Sequence, residues 1–280
     1  MRGIRDQSGS GLSPALVGDL LSGLVLVGAG ANVVWQLSLP AVGHAVAAEP
    51  VPEGSLRRHP GRRTRTTLAY LAVSLVGTDA ECRALGRAIT AEHRRVRSAP
   101  GAPVPYDALD PDLQLWVAAC LFQGAVEVLA ALAPDPVPEA ELDALYRHAA
   151  RLATTLQVPA AAWPPDRAAL ASHVAAGLAS ARLDPATRAY LREVLDLTAF
   201  PWPLRAFAPL SRALAATFLP LHLREDLGLH LSATSERRLR RGLRQVARVH
   251  RHLPPVLRAL PFSWVLADLR RRLRAGRPLL

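Results

Sequence analysis

The chain has 280 residues, half of them hydrophobic and only 5% aromatic, with 34 basic residues against 23 acidic ones. All 34 are Arg, so the net charge of +11 arises without a single Lys; so complete a bias points to a GC-rich coding sequence before it points to a mechanism, although Arg also keeps its charge when partly buried. The length allows a substantial core in one large domain or two modest ones, and the Ala- and Leu-rich composition, with few alternating β-branched residues, excludes a sheet-rich fold and predicts an all-α chain.

Residues 1–13, with Gly3, Ser8, Gly9, Ser10 and Gly11, are expected to form a flexible tail, and residues 14–280 a single helical domain. Pro14 opens an apolar helix predicted to reach about residue 39, weakened by Gly28 and Gly30 and stopped by Pro40. Within it, residues 21–35 (LSGLVLVGAGANVVW) are the one stretch to weigh as a membrane or signal segment. The run is shorter than the ~20 residues a spanning helix needs and Asp19 interrupts its start, so a central core helix is the expectation. The GAG inside it lacks the third glycine and the βαβ setting of a dinucleotide site. A short helical turn at 41–46 precedes a basic, Pro/Gly-rich connection, in which residues 55–65 hold five arginines.

Two helical runs then meet at Gly77-Thr78-Asp79. In the first, Leu68, Leu71, Ala72, Leu75 and Val76 share a face; Arg63 and Thr67, one turn apart, are expected to point together into whatever that face covers. In the second, predicted over 79–97, Leu85, Ile89, His93 and Val96 form a stripe. A His on such a stripe is more often a satisfied core residue than a ligand, and the residues alone leave both readings open. Cys82 and Cys120 have no CxxC or other metal-type spacing, so they are read as core thiols, a disulfide between them has no support, and a reducing, cytoplasmic setting is expected.

Asp110 as N-cap, Pro111 in the first turn and Asp112 at the positive end of the dipole start a helix to about residue 132, ended by Pro134 and Pro136. Its Trp116, Cys120 and Gly124 share a face that would admit a flat ligand or a second helix. Further helices are predicted at 138–156, 166–182, 185–197, 204–221, 235–252, 254–260 and 263–274, with no internal repeat. Residues 236–251 (ERRLRRGLRQVARVHR) read as a basic amphipathic helix with Leu239, Leu243, Val246 and Val249 inward. A solvated helix and peripheral contact with an anionic membrane are both compatible with it; nucleic acid is not the expected partner.

QLSLP at 36–40, the Arg-x-x-x-Thr of Arg63 and Thr67, GTDAE from Gly77, EHRRV around His93 and YDALDPDLQLWV at 106–117 occur in an order that resembles the MpaB-type oxygenases and the rubber oxygenases called latex-clearing proteins. The resemblance covers about residues 28–125. It implies a globin-like helical fold binding one haem b, with His93 as the iron ligand and Arg63 and Thr67 beside the cofactor. A neutral imidazole there leaves the sixth iron position for dioxygen. Arg62, Arg63 and Arg65 are candidates to neutralise the haem propionates, with solvent-facing roles for Arg62 and Arg65 as the alternative. Rubber oxygenases use a glutamate upstream of this helix as a base, and Glu49 is its candidate counterpart.

Three departures bear on activity. Ala118 stands where the family often has a His after Trp-Val, Arg97-Ser98 where it often has a Gly, and Glu49-Pro50 where it has a His-Ser pair. The expected function is therefore a haem-dependent oxygenase that uses dioxygen to oxidise or cleave an apolar small molecule; the alternative is a haem-binding protein without turnover, in sensing or partner control. His44, His173 and His222 lie in apolar sequence, with His44 and His173 the next ligand candidates, whereas His59, His148, His230, His250 and His252 are expected to be exposed.

Overall fold

A computed structural model describes residues 12–49, 51–133 and 136–280; residues 1–11 of the tail expected at 1–13, and Pro50 and Pro134, lie outside the described residues. The described residues are helical with no strand, apart from one isolated bridge between Arg97 and Asp107, so the all-α expectation holds. Leu12 and Ser13 belong to the packed structure. Leu12 is buried, and the Ser13 hydroxyl accepts from the Leu16 N–H and donates to Glu141 at 2.7 Å.

The helix expected over 14–39 is three pieces: α1 (Pro14–Leu20), a 3-10 turn (Gly23–Gly28) and α2 (Ala29–Leu37). Ser22 supplies the break, because its hydroxyl accepts from the Leu24 N–H at 3.0 Å and starts a new turn. Gly23 fixes it in place: a Cβ there would lie 2.6 Å from the Leu260 carbonyl oxygen, so only Gly admits this approach. α3 (Pro40–Ala47), α4 (Pro60–Val76) and α5 (Asp79–His93) follow. Thr78 and Glu81 form a reciprocal capping box at the start of α5, which is why the chain turns sharply after Gly77.

α6 (Pro111–Leu132) starts as its Asp110-Pro111 signal predicts, the Asp110 carboxylate accepting from the Asp112 N–H at 2.8 Å. By length and hydropathy α6 could cross a membrane, a property the sequence reading weighed only for 21–35; that earlier stretch passes the same test only as the pair Pro14–Leu20 and Gly23–Leu37, bent by 46°. α6 is instead wrapped by α2, by the Gly23–Gly28 turn, and by α7 (Glu139–Thr154), α8 (Arg167–Ser180) and α13 (Ala233–Arg251), the setting of a core helix. Its small-residue face seats α2: Gly124 lies against Asn32, whose amide donates to the Cys120 carbonyl at 2.6 Å. Cys82 and Cys120 are both buried and free.

After α9 (Pro185–Leu195), the helix expected over 204–221 divides into α10 (Trp202–Arg205) and α11 (Ala208–Phe218), and α12 (Leu221–Leu227) begins after Pro220. Pro203 and Pro209 sit in the first turns of α10 and α11, where a missing N–H does no harm and a helix can restart. α14 (Pro255–Arg258) and α15 (Phe262–Arg274) end the fold. One buried cluster draws on helices from α1 to α15; a second joins Ala69, Tyr70 and Val73 of α4 to Cys82 and Leu85 of α5 and Leu269 of α15.

α15 therefore braces α4, and an ion-pair cluster reinforces the contact. Asp268 accepts from Arg271 at 2.6 Å and Arg272 at 2.7 Å and lies 3.5 Å from Arg65, which also donates to the Leu279 carbonyl at 3.1 Å. The hydrogen bonds and charges of Arg271 and Arg272 hold the Asp268 carboxyl below its ordinary value of 3.8. A depressed carboxylate stabilises the fold above its unfolded pKa, and the contribution is lost as pH falls through the lower folded value. Asp268→Asn is thus expected to lower stability by about 2 kcal/mol at neutral pH. Urea titrations of both proteins should show the gap unchanged down to about pH 4 and narrowing only below it.

Candidate functional site

His93 is the last residue of α5, and burial, with the nearby Arg63 guanidinium adding repulsion, pushes its imidazole down to about 4, against an opposing hydrogen bond with the Ala108 backbone. The ring is therefore neutral at pH 7, and its Nδ1 is buried without a hydrogen-bond partner. Such a nitrogen is either desolvated at a loss or meant for a ligand.

The segment after α5 folds back over it. The Val96 N–H bonds the His93 carbonyl, the Ala108 N–H bonds the Val96 carbonyl at 2.9 Å, and Arg97 pairs with Asp107 at 3.0 Å, so Ala108 returns beside His93. Gln114 of α6 fixes that return. Its amide donates to the Ala108 carbonyl at 2.8 Å and to Gln157 at 2.5 Å, while the Gln157 N–H donates back to Gln114 at 2.8 Å and the Gln157 amide reaches Thr90 of α5. Sequence reasoning missed Gln114; its one signal is a polar residue on the buried side of an otherwise apolar helix start. Gln114→Leu strands both Gln157 and the Ala108 carbonyl, so a loss of about 2 kcal/mol and a few degrees of Tm is expected in thermal melts.

Arg63 and Thr67 share a side of α4, as their spacing requires, but both are exposed, and the expectation that they point under the apolar face is corrected. Leu68, Ala72 and Val76 take that face into the main core, leaving Arg63 and Thr67 on the outer edge. The Arg63 charge acts on both His93 and the buried Tyr190 of α9. Arg62 is exposed. Arg65 lies about half a turn round α4 from Arg63 and is engaged with Asp268, so it does not join the cluster.

Glu49 follows α3 and lies beside Arg57. Its side chain is only 15% exposed, Oε1 is buried without a partner, and its backbone is left-handed at φ 46°, a conformation disfavoured for a side chain of this kind. Arg57 links it to α9: the guanidinium is 3.9 Å from Glu49, donates to Glu193 at 2.6 Å, and lies 4.8 Å from the centre of the Tyr190 ring. Burial pushes the Tyr190 phenol up, with Arg63 opposing and Glu49 assisting. Arg57 and Tyr190 were not legible as site residues, because no local pattern links a loop arginine to a distant helix. The cleft beside them, lined by Leu56, Arg57, Tyr190, Glu193, Val194 and Phe200 among others, measures about 230 Å³ with its open mouth.

Residues 17–252 match the family described as ER-bound oxygenase mpaB/B'/Rubber oxygenase, catalytic domain. The chain belongs to this oxygenase family. It is also 40% identical over 248 residues to a protein named Uncharacterized protein Mb2261 of Mycobacterium bovis, across 88% of this chain and 97% of that one. Uncharacterized protein Rv2237 of Mycobacterium tuberculosis is similar to the same extent. No solved structure matches.

His93, Arg63, Thr67 and Glu49 all fall inside the span matched to the mpaB/rubber oxygenase family. The departures from its pattern have physical counterparts. Ala118 is fully buried against Ala153 and Val158, so the position where an imidazole is often found is packed shut. The other histidines are arranged differently from expectation in three cases, one of them His250, read as exposed but half-buried with Nε2 3.5 Å from the Ser22 hydroxyl. His148, read as exposed, is half-buried with Nε2 2.7 Å from the Leu75 carbonyl, and His173, read as apolar, is exposed with its ring edge-on to Trp116. His44 pairs with Asp184 at 3.3 Å, whereas His222 keeps a buried, unpartnered Nε2.

The residues around His93 fit a haem in their chemistry. A neutral buried nitrogen suits the iron, and the free guanidinium groups of Arg62 and Arg63 suit its carboxylates. Among the described residues, no group of three or more His, Cys, Asp or Glu is arranged to hold a metal ion.

Proposed function

We propose that the chain is a haem b-dependent oxygenase with His93 as the iron ligand in a globin-like arrangement, using dioxygen to oxidise or oxidatively cleave an apolar small molecule. The observation that carries this reading is the buried, unpartnered Nδ1 of a neutral His93, within a chain of an oxygenase family. When bound, haem supplies the iron at which dioxygen is activated. His93 holds it, and Gln114 keeps the ring's backbone neighbour Ala108 in place. Arg63 and Arg62 neutralise the cofactor's carboxylates, and Thr67, one turn along, offers a hydroxyl on the same side. Glu49, 3.9 Å from the Arg57 guanidinium, accepts a proton from the substrate. The strain at Glu49 and its lack of a second partner fit a group held for a reaction better than one held for stability.

Ala118 favours a second reading, haem binding without turnover, because the imidazole often found there is replaced by a packed methyl. Dioxygen uptake by the haem-loaded chain, measured with a panel of alkenes and terpenoids, separates the two. Uptake that depends on haem and on an apolar substrate is the expected result; haem binding with no uptake across the panel leaves the non-catalytic reading.

A further inference from the structure

Every large hydrophobic residue found exposed among the described residues lies between residues 202 and 264. Its densest part is continuous along the chain, from the end of α13 through α14 to the first turn of α15: Val249 is 67% exposed, Val256 62% and Trp264 60%, with Val246, Leu253 and Leu257 between and beside them. The reading of Val246 and Val249 as the inner face of the basic helix is thereby corrected. Leu243 and Ala247 are the buried seam of α13, whereas Val246 and Val249 fall within about 60° of one another on an outer flank. The half-exposed apolar run of the Gly23–Gly28 turn borders the patch, because Gly23 packs on Leu260.

The charge of the molecule has the same address. Residues 233–280 contain thirteen arginines against Glu236 and Asp268 alone, a net of +11, which equals the net charge of the whole chain; residues 1–232 are balanced. Both carboxylates are already engaged by arginines, Glu236 by Arg224 and Arg240 and Asp268 by Arg271 and Arg272. An apolar surface of this extent in water is unusual for a soluble monomer, and here it is set in a segment that carries all the excess positive charge.

We propose that the surface built from the end of α13, α14 and the start of α15 docks peripherally on an anionic phospholipid bilayer. Valine, leucine and tryptophan side chains enter the boundary between headgroups and acyl chains, and the arginine field draws the segment to the negatively charged surface. A nucleic acid would satisfy the arginines and leave the aliphatic residues in water; a bilayer satisfies both. The patch extends past residue 252, where the family match ends, and it shares no residue with the His93 cluster, so docking is independent of the reading given for that cluster.

The test is cosedimentation of the 280-residue chain with phosphatidylcholine vesicles with and without phosphatidylglycerol, at low and high salt, for the native protein and a Val249→Ser/Val256→Ser/Trp264→Ser variant. Native protein should sediment with the phosphatidylglycerol vesicles, less so at high salt, and the variant should partition roughly tenfold more weakly with its melting curve unchanged. Should the variant melt early, quenching of native tryptophan emission by brominated lipid, reduced in Trp264→Phe, gives the same answer. Absence of native binding at low salt, equal binding by the folded variant, no quenching, or a native dimer that the variant converts to monomer would each overturn the proposal.

Discussion

Replacing His93 with Ala should abolish stable haem binding, weakening it by more than the roughly 10–100-fold that follows loss of a ligand's outer-shell partner, while circular dichroism shows the helices intact. The size of the effect follows from the scarcity of substitutes. His44 is held by Asp184, the Nε2 of His148 meets the Leu75 carbonyl, and His173 faces solvent beside Trp116. Among the described residues, only His222 shares with His93 a buried ring nitrogen that has no partner. His222→Ala is the control, and haem titrations should give it native affinity. If the two variants behave in reverse, the ligand is on α12 and the cluster around Arg63 has another purpose.

Glu49→Gln should lower turnover by about 10²–10⁴-fold, the usual range for removing a positioned base, with haem affinity unchanged. Gln keeps the shape and the left-handed backbone but cannot take a proton. Glu49→Gly sharpens the comparison: it relieves the backbone at φ 46° and so should leave the fold as stable or slightly more so, yet be as inactive as Glu49→Gln. Rates measured beside melting curves distinguish these outcomes, and native turnover in either variant removes Glu49 from the chemistry.

The sequence was most informative where a local signal decides local structure. Asp110-Pro111 set the start of α6 to the residue, and Gly77-Thr78-Asp79 marked the turn between α4 and α5. It was less informative where a distant neighbour decides. Periodicity grouped Arg63 with Thr67 and Val246 with Val249 correctly, but which side of a helix is inward depends on what packs there. Core helices claimed the Leu68 side of α4 and the Leu243 side of α13, and both pairs were left outside. The Gly23 backbone after the break at Ser22 is approached by Leu260 from the other end of the chain. Glu49, Arg57, Tyr190 and Glu193 likewise meet only because α9 packs against α3. The resemblance pointed to His93; its buried, partnerless nitrogen is a property of the folded chain.

The most direct test is the absorption spectrum of the purified 280-residue chain titrated with haem. A Soret band that grows to one haem per chain and shifts to that of histidine-ligated iron is the predicted result. A chain that, saturated with haem, gives only the spectrum of free haem would contradict the assignment of His93 and the oxygenase chemistry built on it.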